Sequence, residues 1–300
     1  MKKALVQLHI AVLLWGFTGV FGKLIQLDAV LLVWWRMLIT SISFWMLFLF
    51  QKKLQKPNAK DILGIAGNGI ILALHWVCFY ASIKMANISI ALTCLATSGL
   101  FSALVEPLFF KKKINPLEIV FGGLALVGVG MIYYANLQFS IGIYIGLLSA
   151  LLTVFVSIFN KKFTHIYEAN TIAVYQMTGG FVGLSILLPI FYSGGLPTQI
   201  FPENMDWLWL LILCWVCTML TFSLYIRALK KVSAFTTNLT FTLEPVYGIV
   251  LAFLLFREDR LMSTSFYFGL LLILLSVVLE LVMKMRQEHK NELSVLYENT

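Results

Sequence analysis

Glu244 stands in the middle of a long apolar run and is followed at once by Pro245. A carboxylate at the centre of a membrane-spanning helix costs about 3 kcal/mol on insertion scales, so an ionisable residue there is a functional candidate by default. Pro245 removes a backbone donor and frees the carbonyl four residues back, at Phe241. A carboxyl and a bare carbonyl then lie one turn apart, fit to hold a proton or a cationic group. The competing reading is a protonated, hydrogen-bonded glutamate at a kink. Arg36 lies seven residues inside another apolar run, about 10 Å from its end at about 1.5 Å per residue. Arginine keeps its charge, so it needs an anionic ligand, carbonyls or water, or it locks a gate; snorkelling to headgroups is the alternative. His75, beside Trp76, is a proton relay or a packing histidine.

Neutral candidates surround these three. Gln176 is a cavity candidate on a later run, and Asn238, Thr97 and Tyr247 add hydrogen-bonding groups on two others. Trp15 and Tyr225 could stack on a flat solute. Glu106-Pro107 imitates Glu244-Pro245, but its closeness to Lys111 and the cytoplasmic edge explains it as snorkelling or as pairing with Lys111 or Lys113. Glu280 precedes Lys284 by one turn, a helical pairing distance. Cys214 and Cys217 read as small apolar residues, since no second ligand pair accompanies them. No metal site and no cofactor is expected.

The elements that must position these groups follow from composition. Sixty per cent of the 300 residues are hydrophobic and 12% are charged; a soluble domain runs near 45–50% and 25%. A soluble enzyme, a nucleic-acid-binding domain and a disordered chain are excluded. Polar punctuation leaves ten apolar segments, at 4–22, 29–50, 62–83, 87–110, 117–135, 141–159, 171–192, 207–226, 232–256 and 262–283. Each can cross a bilayer as a helix, and in lipid the backbone must satisfy its own hydrogen bonds. The expected fold class is an all-α integral membrane protein with ten transmembrane helices. The N-terminus, Met1-Lys2-Lys3 before an apolar run, reads as an uncleaved first helix rather than a signal peptide.

With the N-terminus inside, 17 lysines and arginines fall on the cytoplasmic side and four, Lys23, Lys84, Arg257 and Arg260, outside. That asymmetry sets both termini in the cytoplasm. The net charge of +8 is loop charge of this kind and no sign of nucleic acid. The chain also repeats itself. Val12–Lys23 aligns without gaps with Ala150–Lys161, with five of twelve residues identical. Ser98–Lys113 aligns with Pro245–Arg260 by hydropathy. Five helices per half is an odd number, so the halves must be inverted, the architecture of secondary carriers with a midplane site. The expected domains are a first five-helix repeat at 1–136, a second at 137–284 and a polar cytoplasmic tail at 285–300.

In order along the chain, Leu13–Gly16 (LLWG), Arg36 in WWRM, Ala81–Lys84 (ASIK), Arg227–Lys230 (RALK) and Leu243–Val246 (LEPV) resemble the landmarks of the EamA-like branch of the drug/metabolite transporter superfamily. Glu258 follows the ninth segment where that family usually carries a closing glutamate. The first half departs from the pattern, with Lys111 where a glutamate is usual and Ser98 where a proline is common. The resemblance implies export or exchange of a small metabolite such as an amino acid. The expectation is therefore a non-enzymatic secondary transporter in the inner or plasma membrane, working by alternating access. Its partners are a small-molecule solute, the lipid bilayer and, as the candidate coupling ion, a proton. Glu244, Arg36, His75, Gln176, Asn238, Trp15, Thr97, Tyr225 and Tyr247 are its candidate substrate-binding residues. A channel or a non-transporting membrane protein is the alternative.

Overall fold

The computed structural model describes residues 2–51, 54–110, 116–229, 240–241 and 243–298. Among the described residues every regular element is helical. The helices are α1 (Lys2–Leu24), α2 (Ala29–Phe50), α3 (Ala59–Met85), α4 (Ile88–Ala96), α5 (Ser98–Phe110), α6 (Pro116–Ala135), α7 (Ser140–Thr164), α8 (Ala169–Phe191), α9 (Met205–Cys214), α10 (Thr221–Leu229), α11 (Leu243–Phe256) and α12 (Thr264–Glu298). Seven helical stretches, counted among the described residues, are long and apolar enough to cross a membrane, and three further apolar helices are shorter. The protein is thus multi-pass and all-helical. Of the ten expected crossings, seven are matched at full length among the described residues; the ninth, expected at 232–256, is described only at 240–241 and from Leu243 on, and the described apolar stretches of α6 and α12 are shorter than a full crossing.

Two of the expected spans are not simple helices. The fourth breaks at Thr97, whose hydroxyl donates to the Cys94 carbonyl at 2.6 Å and closes α4 before α5 begins. A threonine that hydrogen-bonds its own backbone competes with the helical ladder. The eighth passes from α9 into a π-helical turn, Trp215–Leu220, and then into α10. There the Thr218 and Thr221 hydroxyls each donate to the carbonyl five residues back, Leu213 and Val216, at 2.9 Å. The last helix runs past the expected end at 283 to Glu298, since Glu, Lys, Arg and Gln are good helix formers even when polar.

Without a hydrophobic drive between helices in lipid, small residues and neutral hydrogen bonds hold the bundle. Ser82 and Asn68 of α3 donate to the Gly142 and Val156 carbonyls of α7, at 2.7 and 3.2 Å. Trp34 of α2 donates to Ser185 of α8 at 2.8 Å, and Trp45 to Thr178 at 2.9 Å. Where α6 crosses α12, Gly128 faces Gly269. A Cβ added to either would meet the other's carbonyl oxygen at 2.6 Å, so the crossing requires both glycines.

The packing partners form a pattern. α2 lies on α8, α6 on α12 and α4 on α11; α1 lies against α11 and α10, while α7 lies against α4, α5 and α3. Exchanging α1 with α7, α2 with α8, α3 with the α9–α10 unit, α4–α5 with α11, and α6 with α12 leaves those contacts in place; α3 departs from the exchange, packing on α8 and α2 far more extensively than the α9–α10 unit packs on α2 and α8.

Candidate functional site

Arg36 enters the bundle from the middle of α2 and is 3% exposed. Its guanidinium donates to the Tyr80 hydroxyl at 2.7 Å and to the Thr218 hydroxyl at 3.0 Å. The indole of Trp76 covers it, with the guanidinium carbon 3.6 Å from the ring centroid. A desolvated cation–π contact of this kind contributes about 2 kcal/mol. Trp76 and Tyr80 lie one turn apart on α3, on the face that meets α2. Thr218 arrives from the π-helical turn, a device that recurs at functional sites. The Arg36 Nε has no hydrogen-bond partner. Among the described residues the single ion pair is Lys23–Glu258, so Arg36 has no carboxylate within 4.0 Å.

Glu244 sits in the first turn of α11 and is half-buried. Pro245, buried, follows it on the same helix. Trp15 of α1, Tyr225 of α10 and Phe241 form a three-ring cluster, with centroids 5.2–5.8 Å apart. Gly16 lets α11 approach α1 there: a Cβ would stand 3.0 Å from the Gly248 nitrogen. Tyr247 reaches back along α1 to His9, its hydroxyl 3.1 Å from Nδ1.

The other candidates are placed as follows. His75 is buried, with Nδ1 2.9 Å from both the carbonyl and the hydroxyl oxygen of Ser149 on α7. That hydroxyl donates to the His75 carbonyl at 3.0 Å, so the pair clasps α3 to α7. Gln176 of α8 is 5% exposed, and its amide nitrogen has no partner. Thr97 is buried at the α4–α5 break. Asn238 lies outside the described residues, as do Lys111 and the side chains of Glu280 and Lys284. Glu106 accepts from Ser102 one turn away, at 2.5 Å. Tyr80 and Thr218 were not among the sequence candidates. Tyr80 carries a signal, its one-turn spacing from Trp76; Thr218 carries none, because the π-helical turn that aims it has no hydropathy signature.

A second polar centre closes one end of the bundle. Glu258 is fully buried between α11 and α12. It pairs with Lys23, at the end of α1, at 2.8 Å. It also accepts from the Ile88 and Ser89 amides, at 3.2 and 2.9 Å, and from the Ser89 hydroxyl at 2.7 Å. The carboxylate thus caps the free N–H groups of α4, where helix dipoles favour negative charge. Lys23 also lies over the Phe256 ring at 4.5 Å. At the same end Lys84 donates to the Ile25 carbonyl at 2.9 Å, and buried Asp206 accepts the Gln26 amide at 3.0 Å. Asp28 caps α2 and accepts from the Tyr192 hydroxyl at 2.7 Å. Burial, then that bond to Asp28, pushes the Tyr192 phenol above its usual range. The described residues contain no group of three His, Cys, Asp or Glu fit to hold a metal ion.

Comparison with known proteins fits this arrangement. The EamA-like transporter family model matches the chain twice, over residues 2–134 and 140–282. The uncharacterized transporter YojE of Bacillus subtilis is 23% identical over 286 residues, spanning 89% of this chain and 90% of its own. An uncharacterized transporter of Haemophilus influenzae is 22% identical over 304 residues, spanning 94% and 95%. A protein of known crystal structure superposes with a TM-score of 0.60 at 15% identity, covering 92% of this chain and 96% of that one, a likeness of fold alone. With two matched segments that together span nearly its whole length, the chain belongs to the EamA-like transporter family.

Proposed function

We propose that this membrane transporter is a secondary active exporter or exchanger of a small metabolite, such as an amino acid or a related compound. It works by alternating access between two inverted five-helix repeats, residues 1–136 and 137–284, with 285–300 as a cytoplasmic tail. The ten crossings are the seven long spans together with α6, α11 and α12. Both termini face the cytoplasm of an inner or plasma membrane, on the strength of the lysine and arginine asymmetry. The Glu258 end is then the outer end.

The observation that carries the reading is the exchange symmetry of the packing, with α2 on α8, α4 on α11 and α6 on α12. An odd-helix duplication gives such pairs when one half is inverted, and carriers of this kind keep their site between the halves. Arg36 from the first half and Glu244 from the second are the opposed charges of that site. The aromatic cluster of Trp15, Tyr225 and Phe241 supplies its wall. A proton on Glu244 is the candidate coupling ion. Among the other sequence candidates, Gln176, with its unpartnered amide, and Tyr247 suit a lining role. His75 and Thr97 suit a positioning role, through the Ser149 clasp and the helix break.

The outer end is shut by Glu258, Lys23 and the α4 N-terminus. The repeat alignment sets Lys161 opposite Lys23 and Lys111 opposite Glu258, so the sequence offers no carboxylate at the aligned position of the cytoplasmic end. Lys161 lies over the Phe110 ring at 4.8 Å, much as Lys23 lies over Phe256. The reading is tested by flux into proteoliposomes across a solute library. Saturable transport that falls at least tenfold in Glu244→Gln and in Arg36→Ala is expected. Wild-type-like, pH-dependent flux in both variants would remove those roles.

A further inference from the structure

The charge balance around Arg36 names a class of ligand. Its side chain is 97% buried by the exposure above, and its hydrogen-bond partners, the Tyr80 and Thr218 hydroxyls, are neutral. Guanidinium offers five N–H donors in a planar fork. Two of these bonds are made, while Nε has no partner. One face of the plane is covered by Trp76, so the free Nε edge is left for an in-plane acceptor. A buried cation is costly until an anion offsets it, and no carboxylate of the described residues lies within ion-pair distance. The role of gate, the other use for an arginine at this depth, is already filled by Lys23 and Glu258. Glu244 too lies beyond ion-pair distance.

We infer that Arg36 is a subsite for a carboxylate on the transported solute, bound in the guanidinium plane through the free Nε edge beneath the Trp76 ring. Carboxylate fits this edge better than a point acceptor does, because two parallel N–H···O bonds match its geometry. The inference rests on the transport reading for its setting, and its test separates the two. Purified protein in phosphatidylcholine nanodiscs, which carry no anionic headgroup, is titrated by tryptophan fluorescence. The probes are phenylacetate, its uncharged amide phenylacetamide, and inorganic phosphate. Saturable binding of phenylacetate at least tenfold tighter than that of phenylacetamide and of phosphate is expected. Arg36→Lys should keep the acid preference with weaker binding, and Arg36→Gln should abolish it. Equal binding of acid and amide by the wild-type chain would overturn the inference without recourse to any variant. Preference for phosphate, or an acid preference that survives in Arg36→Gln, would overturn it as well. Carboxylate binding without flux across a bilayer would instead overturn the transport reading and leave the subsite standing.

Discussion

Two regions that the sequence repeat aligns differ in the sign of one charge. In one, Lys23 meets a buried carboxylate, Glu258, that also holds the Ile88 and Ser89 amides. In the other, the aligned positions in the sequence are Lys161 and Lys111, and Lys161 rests on Phe110. Opposite charges joined by helix-terminal N–H groups close an end; like charges cannot. On the proposed transport reading, a carrier latched at the Glu258 end would favour the state that opens at the opposite end.

Substitutions can break or sharpen that contrast. The largest effect is expected from Glu258→Gln. Losing the charge leaves Lys23 unpaired and weakens the cap on α4, for a loss of about 3 kcal/mol on the scale of broken buried pairs. Thermal unfolding in detergent and amide exchange at Ile88 and Ser89 measure it; unchanged protection at both amides would speak against the latch. Next, Lys111→Glu should create the missing partner for Lys161 and slow flux several-fold, and Lys161→Ala in the same chain should restore it. Unaltered flux in Lys111→Glu would mean that the two ends are not equivalent. A third, smaller effect concerns the centre. Thr218→Val removes one neutral partner of Arg36, about 1 kcal/mol of hydrogen bonding. It should raise KM for the transported solute a few-fold with little change in unfolding temperature. A fall in maximal rate with KM unchanged would assign the π-helical turn to movement rather than to holding Arg36.

The smallest effect is one of pH at the Asp28–Tyr192 contact. The Tyr192 phenol is held protonated by burial and by Asp28. A group whose affinity for its proton rises on folding stabilises the protein fully below its ordinary value, about 10, and loses that contribution as pH climbs through the higher folded value. Tyr192→Phe should therefore be slightly less stable than wild type at neutral pH, with the difference vanishing well above pH 10. A difference constant across that range would place the effect in packing rather than in the proton.

How far the molecule could be read in advance varies along the chain. The second span, expected at 29–50, is α2 at Ala29–Phe50, because Asp28 and the apolar run mark it locally. The eighth span showed only its length. Its π-helical turn depends on threonine hydroxyls that hydropathy counts as nearly neutral. The break at Thr97 was hidden for the same reason. Arg36 was legible as a charge in an apolar run, whereas Trp76 above it, and Tyr80 and Thr218 beside it, come from helices 40 to 182 positions away and needed the fold. His75 was likewise legible as a histidine in an apolar run, open to proton relay or packing, whereas its partner Ser149 on α7 needed the fold.

The central claim is that the ends open in alternation. Paired spin labels test it most directly, at Gln26 and Arg260 around the Glu258 latch and at Phe109 and Lys162 around the aligned region, with distances read by pulsed electron resonance. Glu258→Gln should lengthen the first distance and shorten the second in the same molecules. A first distance that lengthens while the second stays fixed or lengthens with it would contradict alternation and describe a pore.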